Sequence, residues 1–439
     1  MIPSKRVYFL LGLAIAVSPI LSLIMGVYPS ITLTLLFDAV VLGLMVVDGL
    51  KVRKYCVSIS RELPSRLSIG RDNPVVLKIE SANTNTLIQI RDYYPVEFAV
   101  STPTLSVNLA ANDTPEITYT VQPHQRGDFS WGNIQVRQLG SWGLGWHDWQ
   151  IPQNTRVKVY PDLVGLRSLS IRLTLQSSGS IRKIRQMGIG TEFAELRNYR
   201  VGDDLRFIDW KATARRSYGS TGPLVRVLEP EQEQTLLILL DRGRLMTAQV
   251  QGLQRFDWGL NTTLSLALAG LHRGDRVGVG VFDRQIHTWI PPERGQHHLN
   301  QIIDRLTPIE PVLLESDYVG AVTHVVKQQT RRALVVVITD LVDITASSEL
   351  LAALSKLAPR YLPFCVTLRD PQIDDIAHTF TEDVTTAYTR AVSLDLLAQR
   401  QVAFAQLKQK GVLVLDAPAN QISEQLVDRY LQLKARNQL

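Results

Sequence analysis

The sequence predicts an α/β doubly wound domain, preceded by an antiparallel β-sandwich and an N-terminal two-helix transmembrane hairpin. Three observations carry this. Two long apolar runs open the chain, short alternating runs follow to about residue 161, and from residue 235 continuous apolar strands alternate with helical periodicity. The expected organisation is a hairpin over residues 1–54, a sandwich over 55–165, a connecting segment over 166–234 and the α/β domain over 235–439.

The hairpin comes first. Residues 7–27 carry no charge, and residues 31–50 carry only Asp38 and Asp48. A run of about 20 residues, rising ~1.5 Å each, crosses a hydrocarbon core of ~30 Å. Tyr28-Pro29-Ser30 is the expected turn between the two helices. A cleaved signal peptide is the alternative, with Lys5-Arg6 before the run and Ala14-Ile15-Ala16 as its cleavage site. Its apolar core would hold only about seven residues, and apolar sequence continues past it. Lys5 and Arg6 precede the first helix, and Lys51, Arg53 and Lys54 follow the second. Two spans put both clusters on the cytoplasmic side, with the soluble domains. Asp38, at mid-span, is expected to face a partner helix or be protonated. The chain has two cysteines, Cys56 and Cys365, far apart, which suits a reducing compartment.

The sandwich is read from period-two runs such as VVLKIES, LIQIRD, EITYTV, NIQVRQL and RVKVYP, separated by Gly, Pro, Asn and Asp. Trp131, Trp142, Trp146 and Trp149 cluster in its second half. Aromatics so placed fill a sandwich core or cap its edge; a stacking platform for bases or sugars is the sharper alternative.

The α/β domain starts with TLLILLD, followed by a helix whose apolar positions are Leu253, Phe256, Leu260, Leu264, Leu268 and Leu271. RVGVGVFD, ALVVVITD, YLPFCVTL and VLVLD are further strands, and QIHTWIP is a hairpin partner. Apolar strands in series with helices make a parallel sheet covered on both faces. Ligands of such sheets bind at the carboxyl ends of the strands. Asp241 and Asp340 end two strands there.

Between sandwich and α/β domain, residues 188–233 form a polar segment. Residues 182–226 hold ten basic and five acidic side chains, a charge of +5 within a chain total of +6. Gly190, Glu192, Phe193, Leu196, Arg197, Tyr199, Gly202, Asp203, Asp204, Arg206, Ile208, Asp209, Trp210, Ala212, Ala214 and Arg215 form a pattern. It resembles the signature of the bacterial family called domain of unknown function 58. The resemblance extends upstream to RGDFSWGNIQV and downstream to YLQLKAR, although Ser141-Trp142-Gly143 departs from the family's Asp-Pro-Phe-Gly. It implies a membrane-anchored protein of the bacterial inner membrane with a von Willebrand A-like domain, working beside a MoxR-type AAA+ ATPase. The metal site of such a domain uses Asp-x-Ser-x-Ser, a Thr from a second loop and a later Asp. Here Gly243 and Leu245 stand at the hydroxyl positions, Ser316 takes the place of the Thr, and Asp340 matches the last acid. Mg²⁺ demands near-octahedral oxygen ligands. The expected site of Asp241, Ser316 and Asp340 is therefore degenerate and empty, or holds Mg²⁺ weakly. Its acids would instead cap helices or pair with Arg242 and Arg244.

Other chemistries lack their residues. There is no Walker lysine loop, no Gly-x-Ser-x-Gly elbow and no paired cysteines for zinc, and the eight histidines are scattered. Basic charge near a membrane anchor points to acidic lipid or protein before nucleic acid, and Asp203, Asp204 and Asp209 would repel phosphate. The expected function is a non-enzymatic adaptor with no cofactor. Its partner surface is Glu192, Arg197, Tyr199, Asp203, Asp204, Arg206, Asp209, Trp210 and Arg215. The rival readings are a metal-dependent enzyme on Asp241 and Asp340, with the signature acids, and a nucleic-acid binder. Charge beside a large aromatic marks an interface hot spot. A fully buried Trp210 would instead anchor the segment, and its loss would cost about 3–5 kcal/mol.

Overall fold

A backbone surrounded by apolar side chains satisfies its own polar groups most simply as helix. In the computed structural model, two helices fill the apolar N-terminus, α1 (Lys5–Met25) and α2 (Val27–Lys54). Both are long and apolar enough to cross a membrane. The structure describes residues 1–54, 56–80, 85–110, 114–179, 192–215, 222–229, 234–341, 348–379 and 383–436. The turn falls at Gly26, with φ 89°, and not at residues 28–30 as expected. Pro29 instead sits in the first turn of α2, where a missing N–H leaves no helical bond unmade. The less exposed positions recur at Val7, Leu11, Ala14, Ser18 and Leu21 of α1, and at Ser30, Thr34, Asp38, Val41, Met45, Asp48 and Val52 of α2. This spacing is that of two helices packed along one seam. Asp38 lies on it, and its buried Oδ1 has no hydrogen-bond partner.

The chain divides into two units, Met1–Asp162 and Leu163–Leu439. The first joins the hairpin to antiparallel sheets. One sheet runs in the order Ile2–Pro3, Gly145–Ile151, Ile134–Leu139, Thr86–Asp92 and Leu105–Leu109; another runs Ser58–Glu62, Asn73–Glu80, Glu116–Pro123 and Phe98–Val100. Their alternating sequences bury every second side chain, as in Asn73–Glu80. One carboxylate ties the layers together. Asp92 pairs with the buried Arg61 at 2.5 Å and accepts from Tyr119 Oη at 2.5 Å and Trp131 Nε1 at 3.2 Å. Trp131 is thus a core residue, as the aromatic cluster suggested.

The second unit begins with α3 (Leu163–Gly179), inside the stretch expected to be connector. α4 (Trp210–Ala214) follows in the signature. A six-stranded sheet then runs in the order Ile286–Glu293, Arg276–Phe282, Thr235–Asp241, Leu334–Thr339, Leu362–Arg369 and Leu413–Pro418. All neighbours are parallel except Ile286–Glu293, the hairpin partner of Arg276–Phe282. The helices are α5 (Arg255–His272), α6 (Gln296–Leu306), α7 (Tyr318–Gln328), α8 (Ser348–Leu357), α9 (Pro371–His378), α10 (Val384–Gln409) and α11 (Ile422–Ala435). Leu237, Leu239, Val335 and Val337 point to one face of the sheet, against residues of α7, α8 and α10. Leu236, Leu240 and Ile338 point to the other, against α5. The chain builds outward from Thr235–Asp241, first to one side and then to the other. That reversal opens a crevice at the carboxyl ends of Thr235–Asp241 and Leu334–Thr339.

Candidate functional site

The signature folds as a hairpin of Glu192–Asn198 and Leu224–Glu229, with Leu196 opposite Arg226 and Arg197 opposite Val225. Polar residues dominate its linking segment, so local side-chain bonds shape it. Arg197 grips Asp203 with both terminal nitrogens, at 2.8 and 2.6 Å. Asp203 also accepts from the Arg200 N–H at 2.7 Å. Asp204 caps the single turn Leu205–Phe207 and pairs with Arg206 at 2.7 Å. Asp209 caps α4 through the Ala212 N–H at 2.9 Å and pairs with Arg226 Nε at 2.8 Å. These arginines, followed by the capping or turn N–H groups, hold all three carboxyls below their ordinary range. Ile208, Leu224 and Val225 are buried beneath. Tyr199 donates its N–H to Pro223 at 2.8 Å and continues the hairpin ladder.

What remains outward is a mixed surface. Trp210 is 68% exposed, and Leu205 and Val201 are exposed as well. The alternative of a fully buried, anchoring Trp210 does not hold, because Ile208 and Val225 take the buried positions there. Arg206 is 86% exposed, and Lys211 and Arg215 have no carboxylate partner among the described residues. Arg197, Asp203 and Asp209 turn inward to shape the hairpin, whereas Arg206, Trp210 and Arg215 face outward. Glu192 is placed by its backbone alone. Gly188 and Gly190 lie outside the described residues, as do Arg182, Lys183, Arg185 and Arg216.

The structure brings Asp241 and Ser316 together at the sheet edge. Asp241 is buried and accepts from Ser316 Oγ at 2.5 Å, Thr339 Oγ1 at 2.7 Å, Tyr318 Oη at 3.0 Å and the Gly243 N–H at 2.7 Å. Burial pushes its carboxyl up, and the four hydrogen bonds pull against that. Asp340 is bound differently, with Arg255 at 2.7 Å and Arg400 at 2.9 Å. Arg400, only 4% exposed, also reaches Asp416 at 2.8 Å. Neither acid pairs with Arg242 or Arg244 as expected; those bind Asp283 and Glu315, each at 2.8 Å. Both carboxylates are thus filled by protein donors, a set that does not fit Mg²⁺.

Thr339, Tyr318, Arg255, Arg400 and Asp416 were not anticipated from sequence. Arg400 left a trace, since it shares the helical face of Ala403, Phe404 and Leu407, all turned to the core. A cation on an apolar stripe requires a buried acid.

Comparison with known proteins agrees on the region. The family model described as Protein of unknown function DUF58 matches residues 195–409. It stops short of the upstream and downstream stretches named above. Uncharacterized proteins of Mycobacterium tuberculosis and Mycobacterium bovis are 22% identical over 213 residues, covering 47% of this chain and 65% of theirs. The chain thus spans about two thirds of the length of the curated relatives it matches. Among solved structures, the conserved hypothetical protein BatB from Bacteroides thetaiotaomicron is 14% identical with a TM-score of 0.29, covering 46% of this chain and 99% of its own. A non-cellulosomal cohesin from Archaeoglobus fulgidus is 14% identical with a TM-score of 0.19, covering 26% and 96%.

Proposed function

We propose that the chain is a membrane-anchored adaptor of the DUF58 family without catalytic activity of its own. In this reading the hairpin spans a bacterial inner membrane and holds a β-sandwich and a von Willebrand A-like domain in the cytoplasm. The 192–229 hairpin docks a MoxR-type AAA+ ATPase, which assembles or activates a client complex. One observation carries the docking assignment: every described acid of the signature linker is committed to a neighbouring arginine, while Trp210, Leu205 and Val201 stay exposed, as do Lys211 and Arg215. A rigid frame presenting an aromatic and arginines is the composition of an interface centre. The order of the six-stranded sheet and the acid ending its first strand support the von Willebrand A-like assignment. The hydrogen bonds filling Asp241 and the arginines on Asp340 support a structural edge with neither cofactor nor enzymatic role.

The test is a pair of variants of the full chain, Trp210→Ala and the double Arg206→Ala/Arg215→Ala, titrated against the MoxR-type ATPase of the same cell. Exposed positions predict stability within about 0.5 kcal/mol of wild type. Affinity is expected to fall at least about tenfold, or ~1.4 kcal/mol. Full affinity in both variants would move the interface elsewhere, first to the Asp241/Asp340 edge.

A further inference from the structure

Residues 140–145, Gly-Ser-Trp-Gly-Leu-Gly, turn the chain between Ile134–Leu139 and Gly145–Ile151, and both ends of the helical hairpin close on this turn. From α2, the fully buried Asp48 accepts from the backbone N–H groups of Trp142 at 3.1 Å, Leu144 at 3.0 Å and Gly145 at 3.3 Å. Just before α1, Ser4 donates its N–H to Leu144 at 2.9 Å and its hydroxyl to the Gly143 carbonyl at 2.7 Å. Ile2 and Pro3 pair with Trp146 and Gly145 as an added strand. The fit leaves no room at Gly140, where a Cβ would run into the Asp48 carboxylate.

This clamp fixes the height of the turn along the hairpin. Basic charge ends at Arg6 on α1 and resumes at Lys51 on α2, with Asp38 the one acid between Arg6 and Asp48, so a hydrocarbon layer bounded near Arg6 and Asp48 puts the turn among the lipid headgroups. The side chains suit that layer. Trp142 is 43% exposed, and Lys51 Nζ lies 3.9 Å above its ring. Lys5, Arg6, Lys51 and Arg53 are all exposed, and none has a carboxylate partner among the described residues. Asp48, the acid among them, is already held by three N–H groups. Nearby His147 is pushed down, first by burial and then by the positive N-terminus and Arg53.

We propose that the 140–145 turn and its flanking cations form a headgroup site for anionic phospholipid, with Trp142 in the interfacial layer and lipid phosphates on Lys5, Arg6, Lys51 and Arg53. The proposal rests on the reading that the hairpin spans the membrane. The full chain is reconstituted in vesicles of phosphatidylcholine and phosphatidylglycerol, and insertion is scored by resistance to alkaline carbonate. Lipids brominated near the headgroup should quench an emission component that Trp142→Phe lacks. Retained lipid should be enriched in phosphatidylglycerol, and Lys51→Gln/Arg53→Gln and Lys5→Gln/Arg6→Gln should each lower the enrichment several-fold. A carbonate-resistant chain with no Trp142-dependent quenching, or with unchanged enrichment in both double variants, overturns the proposal and leaves the anchor intact. Release by carbonate overturns the anchor and the proposal together.

Discussion

Gly243 sits where a hydroxyl from another loop fills the space beside it. Its φ of −73° would admit any residue, but a Cβ there would run into Ser316 Oγ and come within 2.8 Å of the Leu314 carbonyl. The space a side chain would take at 243 is filled by the hydroxyl that reaches in from Ser316. Gly243→Ser alone should therefore overpack the edge and cost about 1–3 kcal/mol. Adding Ser316→Gly should return part of that loss, a coupling that denaturant melts of the four variants would measure. Additive losses would show that the two positions do not share the space. Asp203 gives a second residue-scale prediction. Its folded pKa lies below the ordinary 3.8, mainly through Arg197, so the contact stabilises above that value and is lost as pH falls through the folded pKa. A carboxyl NMR titration should place its midpoint below 3.8, and Arg197→Ala should bring it back up. An unmoved midpoint would assign the shift to the Arg200 N–H. Asp241 was legible because it ends an apolar strand, and Ser316 through the family resemblance alone. Thr339 and Tyr318 were not, for each reads as an ordinary residue of a strand or helix, and only the fold turns their hydroxyls onto Asp241.

Among the elements, periodicity reported types well and ends poorly. The α2 start was misplaced because Pro29 looked like a breaker, although the first helical turn tolerates it. α9 went unseen, yet Asp370-Pro371 is a cap followed by proline at the first helical position. The signature's hairpin was hidden by its charge; once each arginine finds its aspartate, the segment behaves as a folded element. The apolar hairpin carries its own prediction. Asp38 Oδ1 is buried on the seam without a partner, and an unsatisfied polar group costs about 1–3 kcal/mol. Asp38→Leu should make the full chain more resistant to heating in detergent, with Asp38→Asn closer to wild type. A less resistant Asp38→Leu would mean that the carboxyl is satisfied by a helix of another molecule.

On the scale of the whole molecule, sequence separated the hairpin, the β layers and the α/β sheet by the change in apolar period. It did not show that Ile2–Pro3 belongs to a sheet, because two residues have no period to read. That short strand sets a timetable for synthesis. Ile2 pairs with Trp146, so Ile2 waits for a partner made about 144 positions later. At about 5–20 residues per second the wait is roughly 7–30 s. During it, the ribosome holds a nascent chain whose apolar hairpin is complete but whose clamp does not yet exist. The helices of the hairpin are thus complete before the sheet edge can close beside them.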